Sequence, residues 1–248
     1  MTKREVIGRY RGSMMGILWS FFNPILMLVV YTFVFSVAFK VRWVEENANK
    51  TEFALILFVG IIIHGLFAEC VNRSPVLILS NSNYVKKVVF PLEILPWVAM
   101  GSTLFHSLAS MAVFLAAFFT AHFYIYWTAI FLPLVIIPLI LLTMGLSWFL
   151  ASIGVFLRDV GQTIGIVTNV MLFLSPVFYP VSALPESYRP LLYINPLTFV
   201  IEQARDVLIW GKYPDWLGLS VYFMASLLVA SLGLAWFQKT RRGFADVL

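Results

Sequence analysis

Charged residues divide this chain into long apolar stretches. Five stretches contain no Asp, Glu, Lys or Arg, and they cover residues 12–39, 53–68, 94–157, 160–185 and 216–238. The hydrocarbon core of a bilayer is about 30 Å thick, which a helix of about 20 residues crosses. The stretch at 53–68 reaches that length when it is extended to Val71, and the 64 residues of 94–157 are enough for two crossings. The pattern therefore predicts six membrane-spanning helices, at residues 17–39, 53–71, 92–121, 128–157, 161–181 and 216–237.

Aromatic residues mark the break inside the longest stretch. The segment His122-Phe-Tyr-Ile-Tyr-Trp127 is rich in amphipathic rings, which concentrate where a membrane meets water. This segment is therefore predicted to connect the third span to the fourth.

Three further segments are predicted to lie outside the bilayer centre. Residues 1–16 are basic and have apolar positions near helical spacing, which is typical of a helix lying in the membrane interface. Residues 40–52 form a charged loop. Residues 182–212 hold prolines between apolar patches, which favours short or re-entrant helices. Because no internal repeat is visible, we expect residues 1–248 to form a single transmembrane domain.

Two polar segments are predicted to lie on the cytoplasmic side. Residues 72–84 are expected to form a short helix with Ser74 as N-cap and Pro75 as the first helical residue. Its apolar face is interpreted either as a docking site for a partner or as a surface lying on lipid headgroups. Arg158 and Asp159 fall at the tight turn between the fourth and fifth spans, which suits either a local ion pair or a gate contact.

The composition narrows the class of protein. Hydrophobic residues make up 61% of the chain and charged residues 12%, about half the charged share of a soluble domain. A soluble fold of this length cannot bury that much apolar side chain, which excludes an ordinary soluble enzyme. Cys70 is the only cysteine, so an internal disulfide is excluded. The net charge of +5 is spread between apolar stretches, which argues against nucleic acid as a partner. The sequence predicts an all-α integral membrane protein.

The basic residues predict an orientation. With six spans both termini lie on one side of the membrane, and that side carries 11 of the 17 Lys and Arg residues. Basic residues concentrate on the cytoplasmic side, so we expect both termini in the cytoplasm. The first apolar stretch is too long for the core of a signal peptide and is expected to remain as a span.

Motifs for intrinsic chemistry are missing from the sequence. No GxxxxGK[ST], HExxH or GxSxG pattern occurs, so the P-loop, the zinc-protease motif and the nucleophile elbow are all absent. Glu69 and Glu93 lie near the ends of predicted spans, whereas ion-driven carriers keep ionisable groups in mid-membrane. We therefore predict no catalytic residue, no metal site and no cofactor in this chain, with energy supplied by another subunit.

Two predicted spans carry a stripe of polar and aromatic residues along one face. Lipid offers amide groups no hydrogen-bond partner, so such faces should contact protein or water. One interpretation is polar contact between packed helices. The other is a path for a polar, uncharged ligand, with rings for sugar faces and amides for hydroxyl groups. The residues that share a face at 100° per residue are Ser20, Asn23, Met27, Tyr31 and Phe35 in the first span, and Gln162, Asn169 and Phe173 in the fifth.

Short motifs along the whole chain together resemble one family. They are Arg9-Tyr-Arg-Gly-Ser13, Leu18-Trp19, Asn23-Pro24, Tyr31-Thr-Phe-Val-Phe35, Lys87-Val-Val-Phe-Pro91, Ile94-Leu-Pro96, Phe156-Leu-Arg-Asp159, Ser175-Pro-Val-Phe-Tyr-Pro180, Asn195-Pro-Leu-Thr198 and Arg205-Asp206. In this order and spacing they resemble the membrane subunits of ABC-2-type exporters. The resemblance is to the polysaccharide branch, which exports O antigen, capsule or teichoic acid.

This resemblance implies a mechanism for the whole assembly. Two copies of the chain would form a channel for a lipid-linked polysaccharide in the bacterial inner membrane, lined by the first and fifth helices of each copy. Two separate ATPase subunits would hold ATP and Mg. The segment at 182–212 would cap the exit. In such families the N-terminal helix and the loop at 72–84 contact the ATPases, which implies coupling roles for Arg4, Arg9, Ser74, Pro75, Leu77 and Asn81.

Two alternatives remain open from the sequence. One is an ABC-2 exporter of a drug or a small lipid-like molecule. The other is an intramembrane enzyme acting on a lipid-linked sugar, for which the available titratable residues are His64, His106 and Glu69.

Overall fold

The computed structural model describes residues 1–34, 50–86 and 90–247. The predicted lining residue Phe35 and most of the predicted loop at 40–52 lie outside the described residues. Within them the chain is helical and contains no strand, which confirms the all-α class. The helices are α1 (Thr2–Arg9), α2 (Trp19–Phe33), α3 (Lys50–Arg73), α4 (Ser82–Lys86), α5 (Ile94–His122), α6 (Leu132–Phe156), α7 (Val160–Phe173), α8 (Arg189–Ile194), α9 (Pro196–Leu208), α10 (Trp216–Thr240) and α11 (Phe244–Val247).

Five helical stretches in the described part of the chain are long and apolar enough to cross a membrane. Each has a window of 18 residues with a mean hydropathy of at least 1.7, and together they cover α2, α5, α6, α10 and all but the first two residues of α3. They correspond to five of the six predicted spans, so the chain is a multi-pass membrane protein. Their bounds are Gly16–Phe33, Glu52–Val76, Ile94–His122, Trp127–Phe156 and Trp216–Gly243.

The helix in the fifth predicted span is shorter than expected. Residues 161–181 were expected to be helical throughout, but α7 has 14 residues and ends at Phe173. At 1.5 Å per residue it is about 21 Å long, less than the thickness of the hydrocarbon core. Pro176 explains the early end, because proline disfavours helical geometry in the preceding residue, Ser175. The Tyr179 hydroxyl then donates to the Phe173 carbonyl at 2.6 Å. A count of six full spans therefore stays a prediction.

The N-terminal segment is helical over only part of its predicted length. The helix α1 ends at Arg9, and Gly12 follows with φ of 88°. This left-handed conformation is available to glycine at little cost, so the chain turns before α2 begins. The interface helix predicted over residues 1–16 is therefore longer than the helix in the structure.

The segment at 72–84, predicted to be cytoplasmic, differs in detail from the predicted single helix. The helix α3 continues to Arg73, and two 3-10 turns follow, at Ser74–Val76 and Leu79–Asn81. The predicted N-cap at Ser74 is wrong, because its hydroxyl donates back to the Cys70 carbonyl at 2.8 Å. This segment therefore begins as an extension of α3 and has no capped start of its own.

The helix α3 occupies the centre of the fold. It contacts α2, α5, α6, α7 and α9, and 78% of its most apolar window is buried, compared with 6% for the stretch that contains α2. Apolar residues all round a helix are typical of a core position. The helix α2 lies at the periphery and leaves most of its surface uncovered by the described part of the chain.

Glycines permit the close packing of α6 against α10. A Cβ atom on Gly233 would lie 2.1 Å from the Gly145 carbonyl oxygen, and one on Gly145 would lie 2.5 Å from the Val229 carbonyl oxygen. Small residues let helix backbones approach one another in membranes, where packing rather than hydrophobic burial drives association. These two helices therefore form a tight pair beside α3.

The segment after α7 contains two short helices, as its prolines predicted. The Asn195 side chain accepts from the Leu197 backbone N–H at 3.0 Å and caps α9, as asparagine commonly does. The helix α9 packs against α3 and α6. Arg205 on α9 is 3% exposed and anchors this packing through hydrogen bonds to backbone carbonyl groups.

Candidate functional site

An open cleft of about 420 Å³ lies between α2, α3 and α5. Ser20, Asn23 and Met27 line it on the α2 side, and Glu69 of α3 and His106 of α5 line it from the other side. Ser20 is buried, whereas Asn23 and Met27 are exposed. The cleft therefore brings three of the predicted lining residues of the first span together on one surface.

A hydrogen-bonded bridge joins three of the residues that line this cleft. The Ser20 hydroxyl donates to the Tyr10 hydroxyl at 3.0 Å, and the Tyr10 hydroxyl lies 3.2 Å from His106 Nδ1. If Tyr10 donates to Nδ1, the neutral imidazole carries its proton on Nε2. The Nε2 atom is buried and has no hydrogen-bond partner within the described residues. The bridge links the segment after α1 to two membrane-spanning helices.

Ion pairs connect α1 to the end of α3. Arg9 pairs with Glu69, and Arg73 pairs with Glu5. Glu69 also lies 3.9 Å from Arg73, so one carboxylate serves both guanidinium groups. Partly exposed pairs of this kind each contribute at most about 1 kcal/mol. Their structural consequence is that α1 and the membrane-spanning core are linked at several points.

The polar face of α7 lies on a different surface. Thr168 is buried on the α3 side, where its hydroxyl lies 3.0 Å from the Asn72 side-chain oxygen and its carbonyl 3.0 Å from His64 Nε2. No α7 residue lines the cleft described above among the residues that the structure covers. The polar cleft beside α2 and the polar face of α7 are therefore two separate surfaces of this chain.

The predicted lining residues of α7 are uncovered. Gln162, Asn169 and Phe173 are all exposed on the side away from α3, with Phe173 64% exposed. Exposed amides are costly against lipid because lipid offers them no hydrogen-bond partner. This face therefore requires protein or water. On α2, Tyr31 is half-buried.

The predicted coupling residues occupy two environments. Arg4 and Arg9 are exposed, whereas Ser74, Pro75 and Leu77 are buried and Asn81 is half-buried. The exposed apolar side chain of this segment is Val76, at 51%. The apolar run was expected to face either a partner or the lipid headgroups, but the turn leaves Val76 exposed and buries Leu77.

A groove separates α1 from the segment that follows α3. Its volume is about 430 Å³, and Arg4, Glu5, Val76, Asn81 and Tyr84 are among its lining residues. Charged and apolar groups thus face the same opening, a combination that suits contact with another protein.

The predicted gate residues lie at the start of α7. Arg158 and Asp159 are both exposed, and the Asp159 carbonyl accepts from the Gln162 and Thr163 N–H groups. Among the ion pairs of residues 1–34, 50–86 and 90–247, none joins Arg158 to Asp159. Their role as a gate stays a prediction.

The contacts that join distant helices were not predicted from the sequence. Tyr10, His106 and Arg205 make contacts across 96 or more positions of the chain, and no local pattern marks such pairs. Nothing in the local sequence distinguishes Arg205 from its charged neighbours Glu202 and Asp206. Within the described part of the chain no three His, Cys, Asp or Glu side chains come together as a metal site.

Comparison with known proteins identifies the family. The model of the ABC-2 type transporter family matches residues 1–209. The chain belongs to this family. The match confirms the resemblance inferred from the short motifs, and it covers α1 to α9 of this ABC-2 permease.

Relatives of this ABC-2 permease are named as export permeases or transport proteins. The O-antigen export system permease protein RfbA of Klebsiella pneumoniae is 25% identical over 252 residues, covering 100% of this chain and 93% of that protein. RfbA of Myxococcus xanthus is 27% identical, covering 99% and 93%. The polysialic acid transport protein KpsM of Escherichia coli is 23% identical, covering 95% and 90%. These relatives are transport proteins, and the similarity extends over nearly the whole chain.

Proposed function

We propose that this chain is the membrane subunit of an ATP-driven exporter that moves a lipid-linked polysaccharide across the bacterial inner membrane, with both termini in the cytoplasm. The names of the relatives support the substrate class. The observation that carries the proposal is the uncovered polar face of α7, where Gln162 and Asn169 are exposed beside an aromatic ring. Amides pair with sugar hydroxyl groups, and rings contact the apolar faces of sugars.

Two copies of the chain form the conduit in this proposal. The exposed amides of α7 and the exposed Asn23 amide of α2 lie on two surfaces that lipid would not solvate well. Pairing two copies around a common axis turns these surfaces toward an enclosed path. Oligomers with such closed two-fold symmetry are the commonest kind.

Separate ATPase subunits supply the energy. We propose that they bind the groove between α1 and the segment after α3, where Arg4 and Val76 are exposed. Movement of α1 and of the segment after α3 would reach the core through one contact from each. The Arg9–Glu69 ion pair leads to α3, and Pro75 lies directly against Gly154 of α6.

Replacing Asn169 with leucine is expected to stop export while the chain still assembles. The substitution keeps a helix-forming residue at an exposed position but removes the amide that faces the path. Tyr31→Ala is expected to act similarly on α2. The measurement is the amount of surface polysaccharide in cells that carry each variant as their only copy of the permease.

The matched controls change exposed apolar residues on the same two helices. Val170→Leu on α7 and Phe33→Ala on α2 alter side chains that are 49% and 62% exposed without changing a polar group. Both are expected to leave surface polysaccharide unchanged. Normal export by Asn169→Leu would remove the lining assignment. Normal surface polysaccharide after deletion of the gene, with loss of resistance to a toxic compound, would favour export of a drug instead.

A further inference from the structure

A small cavity, separate from the cleft and the groove described above, lies at the end of the bundle opposite α1. Its volume is about 180 Å³, and it is enclosed by the start of α3, the end of α5, the loop that follows α5 and the end of α9. Arg9 at the end of α1 pairs with Glu69, near the other end of α3, whereas this cavity is lined by Glu52 at the beginning of that helix. In the proposed orientation it therefore faces the outside of the cell.

Rings and hydrogen-bonding groups converge on this cavity. The Glu52 carboxylate, the His122 imidazole, the Tyr124 and Tyr126 phenols and the Trp210 indole all line it. The two tyrosine hydroxyls lie 3.1 Å apart. Tyr124 is 46% exposed and Trp210 is 40% exposed, so ring surface is available to a ligand.

The backbone around the cavity is held in unusual conformations. Phe123 has φ of 61°, a conformation that costs a residue other than glycine about 1 to 2 kcal/mol. It lies between His122 and Tyr124, two residues that line the cavity. Gly211 has φ of 63°, and a Cβ atom there would lie 2.5 Å from the Tyr126 ring. The backbone at Gly211 therefore packs directly against the ring of Tyr126.

Tyr126 remains a neutral hydroxyl at physiological pH. The hydrogen bond with Tyr124, burial and the nearby Glu52 carboxylate raise the pKa of Tyr126 above its usual value. A neutral phenol both donates and accepts hydrogen bonds. Together with the Glu52 carboxylate, the cavity offers a donor and a strong acceptor beside aromatic surface.

We propose that this cavity is a binding subsite for one uncharged sugar ring of the exported glycan. This inference rests on the proposed function, because it assigns the ligand by the substrate class of the exporter. Sugars present vicinal hydroxyl groups to carboxylates and C–H faces to aromatic rings. The cavity is large enough to hold a single sugar ring but too small for an oligosaccharide.

Charge distinguishes a sugar ring from a lipid headgroup at this site. Among the described residues that line the cavity there is one carboxylate, at Glu52, and neither lysine nor arginine. A phospholipid phosphate would meet the Glu52 charge without a cation to offset it. The same argument disfavours acidic sugars, so the subsite is selective for neutral rings.

The test measures sugar binding directly, without ATP or transport. The full-length chain in lipid nanodiscs is titrated with the methyl glycosides of mannose, galactose, rhamnose and N-acetylglucosamine, and binding is followed by saturation-transfer NMR. At least one of these glycosides is expected to bind saturably, and Glu52→Gln is expected to weaken that binding about tenfold. Tyr124→Phe, which keeps the ring, should weaken it about threefold.

Two controls and two competing ligands complete the design. Glu186→Gln and Tyr188→Phe change exposed residues of the external segment that do not line the cavity, and both should bind as the unaltered chain does. Phosphoethanolamine and N-acetylneuraminic acid are expected to bind more weakly than the preferred neutral glycoside. The proposal is overturned if no neutral glycoside binds saturably, if Glu52→Gln and Tyr124→Phe both bind normally, or if either anionic probe binds more tightly.

The outcome is separable from that of the proposed function. Loss of export in Asn169→Leu together with absence of sugar binding would remove the external subsite alone. Glycoside binding that depends on Glu52, with normal export in Asn169→Leu, would remove the conduit assignment alone.

Discussion

Arg205→Met is expected to reduce the amount of folded chain in the membrane more than any other single substitution considered. The Arg205 guanidinium is buried and donates to the carbonyl groups of Ile56 at 3.0 Å, Pro176 at 2.5 Å and Val177 at 3.1 Å. These carbonyls belong to α3 and to the turn after α7, so one side chain joins three parts of the fold. Hydrogen bonds from a charged donor contribute about 1.5 to 3 kcal/mol each. Losing three leaves buried acceptors unpaired and costs about 3 kcal/mol or more, a large share of a typical stability.

The measurement is the thermal midpoint of the detergent-solubilised chain, followed by fluorescence-detected size exclusion. Arg205→Met is expected to aggregate or to melt far below the unaltered chain. Arg205→Lys should be intermediate, because an ammonium group cannot reproduce the planar fork of donors. The control is Arg189→Met, since Arg189 also donates to a backbone carbonyl but is less buried. Equal midpoints for the two methionine variants would contradict the anchoring role of Arg205.

Gly154→Ala is expected to lower export more than tenfold with little change in the amount of chain. A Cβ atom on Gly154 would lie 2.0 Å from the Pro75 carbonyl oxygen and 2.6 Å from its Cα atom, so the Ser74–Val76 turn must move away from α6. Overpacking of this kind costs about 1 to 3 kcal/mol, and the displacement falls on the segment that we propose to contact the ATPase. Coupling should therefore fail before folding does.

Surface polysaccharide and the amount of chain in the membrane are measured together for this variant. Gly243→Ala is the matched control, because an added Cβ there meets only ordinary contacts, the nearest at 3.8 Å from the Phe156 ring. It is expected to export normally. Normal export by Gly154→Ala would show that the position of Pro75 against α6 does not matter for transport.

Spans are the part of the fold that the sequence predicts well. Length and hydropathy are properties of contiguous residues, so α2, α3, α5, α6 and α10 each overlap a predicted span over most of their length. The end of α7 was misjudged because residues 174–181 are apolar enough to continue a span. Pro176 and the hydroxyls that bind the last carbonyls end the helix instead.

The candidate site was predictable only along single helices. Helical periodicity grouped Ser20 with Asn23, and Gln162 with Asn169, and the structure leaves both amides of α7 exposed. The partners across the fold were not predictable, because the Arg9–Glu69 pair and the Tyr10–His106 contact join residues 60 and 96 positions apart. Ser74 shows the same limit, since its sequence suggests an N-cap but the preceding turn of α3 supplies its acceptor.

Photocrosslinking from α7 during export tests most directly whether polysaccharide passes along this helix. Ile166 is 66% exposed and lies within one turn of both Gln162 and Asn169, so a benzophenone amino acid at this position keeps the amides intact. Leu228 on α10 is 61% exposed and provides the control position. In exporting cells, position 166 is expected to crosslink to polysaccharide in an ATP-dependent manner, and position 228 only to lipid. Crosslinks from position 166 to lipid or to protein alone, while export continues, would contradict the account.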